Sequence, residues 1–190
     1  MKKLTAVLLV LTLAACASVA KVDSGQQTIG ERLSLTLEGP WNHVNVPNSG
    51  PALIWTMEGL PIDQLRIYSG VKDGDEIDPA GPGAQKKPIN FRAGMQPDDI
   101  VGMFEGMLTR DGSTFKLEKL EPWNFGGQKG FRFEFTFTRK LDCVVNSGLG
   151  YGTVSKGELF ALLYAAPRLG FFPRHKDKVE QIARSARLKA

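Results

Sequence analysis

Histidine and cysteine are both scarce in this chain of 190 residues, with two of each, and that scarcity narrows the chemistry first. Two cysteines exclude a disulfide-rich scaffold and a four-cysteine zinc site. With only His43 and His175, most metal and triad chemistry is thinned out as well. No Gly-x-Ser-x-Gly elbow and no His-Glu-x-x-His pair occurs. No apolar run reaches the roughly 20 residues needed to span a bilayer as a helix. Charge of one sign is also lacking: 24 Lys and Arg face 20 Asp and Glu, a net charge of +4. That balance excludes the basic footprint of a nucleic-acid binder. What is present is a 42% hydrophobic, 23% charged composition with 21 Gly and 11 Pro, which points to a folded, turn-rich, strand-rich chain.

The N-terminus reads as an address. Lys2 and Lys3 precede an apolar run, Leu4 to Ala15, which is too short to span and suits the core of a cleaved signal. The run ends in Leu13-Ala14-Ala15-Cys16, which resembles the lipobox of bacterial lipoproteins. The resemblance implies that the Cys16 thiol, as nucleophile, takes up a diacylglyceryl group and that cleavage before it exposes an N-terminus that is then acylated. Several acyl chains give a stable anchor, since each buried CH2 contributes about 0.8 kcal/mol and one chain alone is marginal. Ala17 follows the cysteine, and by the enterobacterial sorting rule this implies the periplasmic face of the outer membrane. Cleavage removes Lys2 and Lys3, so the precursor overstates the charge of the mature protein. The organisation expected is therefore a signal peptide over 1–15, a lipidated N-terminus and small, polar tether over 16–29, and one domain over 30–190.

Within the body, Arg32 to Leu37 alternates apolar and polar as a half-buried strand does. Leu53 to Met57 and Gln64 to Val71 predict two more strands, and residues 69–94 a long Gly- and Pro-rich loop with a short strand at Ile89–Phe91. Pro97, Asp98 and Asp99 open a helix whose apolar arc holds Ile100, Val101, Phe104, Met107 and Leu108. Phe115 and Leu117 begin another strand that Pro122 is expected to close. Phe131, Phe133, Phe135 and Phe137 share one face of the clearest strand in the chain. Leu141 to Val145 and Gly157 to Ala166 continue the pattern, the latter apolar on both faces and so expected to be central. Pro173 opens a last helix with Val179, Ile182, Ala183 and Ala186 as its apolar stripe.

Strands, helix, strands, helix predicts an α+β domain: a twisted antiparallel β-sheet with helices packed on it. The order ends in paired strands, the hydrophobic strand through Ala165-Ala166-Pro167, and a helix closing on Ile182-Ala183-Arg184-Ser185-Ala186-Arg187. In this it resembles the PsbP-like α/β/α sandwich, over about residues 30–188. The resemblance implies a non-catalytic accessory or assembly module. No manganese or calcium pattern of the photosynthetic members is present, and no cofactor is expected.

Candidate sites remain. Asp73-Gly74-Asp75-Glu76-Ile77-Asp78 gathers carboxylates on a turn, which suits a hard cation and makes Asp73, Asp75 and Asp78 candidate ligands. The glutamate of an EF-hand is missing, position 84 being alanine, so a solvated acidic turn is the plainer reading. Gly148-Leu149-Gly150-Tyr151-Gly152 lacks the lysine of a phosphate loop and reads as a glycine-rich hairpin connection. Cys143, between apolar neighbours, reads as a buried strand residue. Trp41, Trp123 and Phe125 lie beside Gly, Pro or Asn in expected loops; exposed, they are anchors for a protein partner, and buried, satellite core. Arg174, Lys176, Lys178, Arg184 and Arg187 give the last helix a basic outer face, interrupted by Asp177 and Glu180. The leading expectation is a non-enzymatic, membrane-anchored lipoprotein that contacts another envelope protein. The alternative is a small-ligand or cation receptor using the 69–94 loop and a sheet cavity. A hydrolase would need His43 or His175 beside a nucleophile.

Overall fold

The computed structural model describes residues 19–46, 49–78 and 87–189. The strands are β1 (Val19–Val22), β2 (Gly25–Ile29), β3 (Leu33–Leu37), β4 (Trp41–Val44), β5 (Leu53–Thr56), β6 (Gln64–Val71), β7 (Thr114–Phe125), β8 (Gln128–Thr138), β9 (Val145–Ser155), β10 (Glu158–Pro167) and β11 (Arg187–Leu188). The helices are α1 (Pro97–Leu108), between β6 and β7, and α2 (Phe171–Ser185), between β10 and β11. Eight strands form one sheet in the order β1-β4-β5-β6-β10-β9-β8-β7, and β11-β3-β2 form a second, smaller one. Neighbouring strands pair antiparallel throughout. No helix among the described residues is long and apolar enough to cross a membrane.

Both faces of the large sheet are covered, as the apolar run of β10 demands. Leu159, Ala161 and Leu163 face α1, together with Ile100, Val101, Phe104 and Met107 of that helix. Phe160, Leu162 and Tyr164 face the other way, into a core shared with α2 and the small sheet through Val179, Ile182, Leu33 and Leu35. The result is the expected layered α+β sandwich. Helix α1 starts where Pro97 stands, and the backbone N–H of Gln96 donates to Asp99 Oδ2 at 2.9 Å, which fixes the first turn. Helix α2 begins two residues before Pro173, at Phe171.

The aromatic face of β8 explains the glycines of β9. Phe131, Phe133 and Phe135 stand opposite Gly152, Gly150 and Gly148. A β-carbon at Gly150 would lie 1.9 Å from the Phe133 ring, and one at Gly148 would lie 2.1 Å from the Phe135 ring. These glycines are strand interior and make room for rings from the next strand. The hairpin-connection reading of Gly148–Gly152 is thereby corrected.

Five other expectations are corrected. Residues 19–29 are two strands, so the tether does not extend to 29; both strands are short, each is a sheet edge, and Val22 and Ile29 reach the core while their neighbours stay wet, which gives the segment its polar composition. Strand β7 runs through Pro122, because an edge strand has a side on which no N–H is needed. Residues 141–144 make a turn in which Leu141 is 92% exposed. Cys143 lies in that turn with φ of 56°, exposed and not in a buried strand. The predicted strand at Ile89–Phe91 is reduced to a single bridge between Glu76 and Asn90.

Candidate functional site

The best-formed concavity is a cleft of about 360 Å³ at the C-terminal end of α1. Its apolar lining comes from Ile62, Met107, Leu108, Phe137, Leu163 and Ala165, and its polar lining from Gln64, Arg66, Asp78, Arg110, Asp111, Ser113, Arg139 and Asn146. The start of β6, the end of β10, the start of β9 and the end of β8 form the sheet side. Met107 and the Arg110–Ser113 turn form the helix side.

Three arginines line this cleft, and their surroundings differ. Arg139 is saturated: Nε and Nη2 donate to Asp142 Oδ1 and Oδ2 at 3.0 and 2.6 Å, and Nη1 donates to the Pro61 carbonyl at 2.8 Å. Arg110 is nearly so: Nη1 lies 3.2 Å from Asp78 Oδ2 and donates to the Asp78 carbonyl, while Nη2 donates to the Lys87 carbonyl at 3.0 Å. Arg66 has no carboxylate within ion-pair distance among the described residues. The acceptor it meets is the Met107 thioether, 3.9 Å from Nη1, which also accepts from the Tyr68 hydroxyl at 3.4 Å. Burial pushes the Tyr68 phenol up, while the adjacent Arg66 guanidinium pulls it down, so this hydroxyl is a second polar neighbour of Arg66. Asp111 is held below the usual carboxylate range, first by its hydrogen bond with Ser113 and also by the field of Lys140.

The acidic turn does not gather its carboxylates on one point. Asp73 Oδ1 accepts from the Ala93 N–H and Asp75 Oδ2 from the Lys72 N–H, both at 2.9 Å, while Asp78 turns to Arg110. Among the described residues no group of three or more His, Cys, Asp or Glu side chains is placed to hold a metal ion. Among the described residues, Asp73 and Asp75 serve as turn-forming carboxylates and Asp78 as an ion-paired one.

Of the aromatic anchors, Trp41 and Phe125 are core, 1% and 0% exposed, because both lie in strands and not in loops. Trp123 is half-buried on β7. Arg184 sits 4.7 Å from its ring centre and Arg132 5.9 Å. Arg132 also pairs with Glu121 and Glu134, at 2.9 and 2.6 Å. The Trp123 indole N–H and the Tyr151 hydroxyl are buried without a hydrogen-bond partner among the described residues, and burial pushes the Tyr151 phenol up to about 12.

His175 is buried on α2, and its Nε2 lies 2.7 Å from Glu58 Oε1, which Arg174 also reaches at 3.1 Å. The His175 contact is the first cause holding the Glu58 carboxyl low. Glu58 sits on a turn built by buried Asp63, whose carboxylate accepts from Thr56 Oγ1 and from the N–H groups of Met57 and Glu58. His43 is half-buried on β4. Cys16 lies outside the described residues. Sequence reasoning missed the arginine cleft, whose residues come from six separate stretches of chain.

No protein-family model matches the chain, and no curated protein matches it. Among solved structures it is similar to cyanobacterial PsbP (CyanoP) from Synechocystis sp. PCC 6803, with a TM-score of 0.58 and 13% identity over 93% of this chain and 95% of that one. It is also similar, with a TM-score of 0.48 and 14% identity over 92% of each chain, to LpqN of Mycobacterium tuberculosis, a protein involved in cell envelope biogenesis. That second likeness is too slight to carry weight. The first establishes the class: the chain has the PsbP-like α+β fold.

Proposed function

We propose that this protein is a lipid-anchored accessory protein of the bacterial envelope, not an enzyme, held on the periplasmic face of the outer membrane through Cys16. The observation that carries the reading is the Leu13-Ala14-Ala15-Cys16 motif ending a short apolar run. The fold adds a geometric consequence. Strand β1 begins at Val19, so only Ala17 and Ser18 separate an acylated Cys16 from the sheet, a reach of roughly 10 Å. The domain then works close to the bilayer and not at the end of a long tether, and of Trp41, Trp123 and Phe125 only half-buried Trp123 reaches the surface to meet an envelope protein. The test is Cys16→Ser in a Gram-negative host. The wild type is expected in the outer-membrane fraction and the variant in the soluble periplasm; both soluble would overturn the reading.

A second reading, that the domain takes a small ligand, is favoured by one observation: a cleft of about 360 Å³ with an arginine, Arg66, that no carboxylate among the described residues neutralises. That volume is at the lower end of small-molecule sites, roughly 300–1,000 Å³.

A further inference from the structure

We propose that the cleft beside α1 binds a small amphipathic carboxylate, with Arg66 as its anion contact; this rests on the ligand-binding reading and gives it a chemical class. A guanidinium offers five N–H donors in a planar fork. That of Arg66 is half-buried, and among the described residues it meets the Met107 thioether, a weak acceptor, and the neighbouring Tyr68 hydroxyl, with no carboxylate in reach. A ligand carboxylate would take two parallel N–H donors, the geometry that makes Arg–carboxylate pairs strong and directional.

The other two arginines set the charge the cleft prefers. Arg139 is occupied by both oxygens of Asp142 and by the Pro61 carbonyl. Arg110 is occupied by Asp78 and by the Lys87 carbonyl. Asp111 is turned to Ser113 and opposed by Lys140. The charges around the cleft therefore compensate one another except at Arg66, which leaves room for one negative charge. A dianion such as phosphate would bring a second charge near Asp78 and Asp111 without a cation to meet it. A cation would face Arg66 directly. The remainder of the wall, Ile62, Leu108, Phe137 and Leu163, is apolar and suits a short aliphatic or aromatic body.

The test uses 3-phenylpropanoate and its neutral isostere 3-phenylpropanamide, with acetate and inorganic phosphate as further arms. Each is titrated into the isotopically labelled full mature chain carrying Cys16→Ser, with binding read from amide shifts. The expected result is saturable shifts at β6, β10 and the end of α1 with the acid, and binding about tenfold weaker with the amide, the difference one charge-assisted contact makes. Acetate and phosphate bind more weakly than the acid, because the first lacks the apolar body and the second carries excess charge. Arg66→Gln removes the preference for acid over amide, while Arg66→Lys keeps part of it. Unchanged shifts elsewhere in both variants show that the fold is retained. Equal binding of acid and amide, a preference that survives Arg66→Gln, or phosphate bound at least as tightly as the acid overturns the carboxylate assignment but leaves a ligand-binding cleft. No cleft shifts with acid or amide overturns the ligand-binding reading itself.

Discussion

The ring of Phe133 on β8 occupies the space where Gly150 on β9 would carry a side chain, 1.9 Å from the position of that missing β-carbon. The same relationship is repeated by Phe135 over Gly148, and Phe133 and Phe135 stack with centres 5.6 Å apart. A row of rings on one strand thus requires a row of glycines on its neighbour, and α1 closes over the rings through Phe104, 6.2 Å from Phe133.

Gly150→Ala is expected to destabilise the protein by about 1–3 kcal/mol, the range of an overpacked core. Gly102→Ala, on the exposed side of α1 with nothing within 4 Å of the added carbon, is expected to stabilise it by about 0.5–1 kcal/mol. Chemical denaturation checks both. A neutral Gly150→Ala would mean that the strands are not in the described register.

The Phe131–Phe137 alternation, the Pro97 helix start and the two-faced apolar run of β10 are legible in the sequence, because each is a local period that the sheet and its layers then obey. Their order is enough for the PsbP-like fold. Pro122 misleads because the sequence does not say which strand will be an edge. Gly148, Gly150 and Gly152 look like a turn because the rings that need them are supplied by another strand. Residues 19–29 look like a tether because the two edge strands there bury few side chains, only Val22 and Ile29 reaching the core. The arginine cleft is not legible at all: Arg66, Arg110 and Arg139 are far apart in sequence, and which one lacks a carboxylate depends on where Asp78 and Asp142 come to rest.

Glu58 links pH to stability. Its carboxyl is held below the ordinary glutamate value of 4.5, first by the hydrogen bond with His175, with Arg174 assisting. A group depressed in the folded state stabilises above its unfolded value and loses that contribution as pH falls through the folded one. The gap in melting temperature between wild type and Glu58→Gln should therefore be full above about pH 5 and close progressively below pH 4.5. Thermal melts across that range measure it, and a gap that widens on acidification would contradict the ion pair.

Cys143 is exposed on the β8–β9 turn. In folded protein carrying Cys16→Ser, a thiol reagent such as dithionitrobenzoate is expected to release one equivalent of chromophore without denaturant. Labelling that appears only on unfolding would place Cys143 back in a strand.

The carboxylates of the acidic turn are engaged by Ala93, Lys72 and Arg110. Millimolar calcium should leave the melting temperature unchanged, whereas Asp73→Asn should lower stability by about 1 kcal/mol through the weakened bond to the Ala93 N–H. A calcium-dependent rise that Asp73→Asn abolishes would restore the cation site.

The most direct measurement is intact-mass and peptide mass spectrometry of the protein isolated from its native host. The account predicts a mature chain that starts at Cys16 and carries a diacylglyceryl thioether. A chain that retains residues before Cys16, or that begins with an unmodified Cys16 thiol, would contradict it.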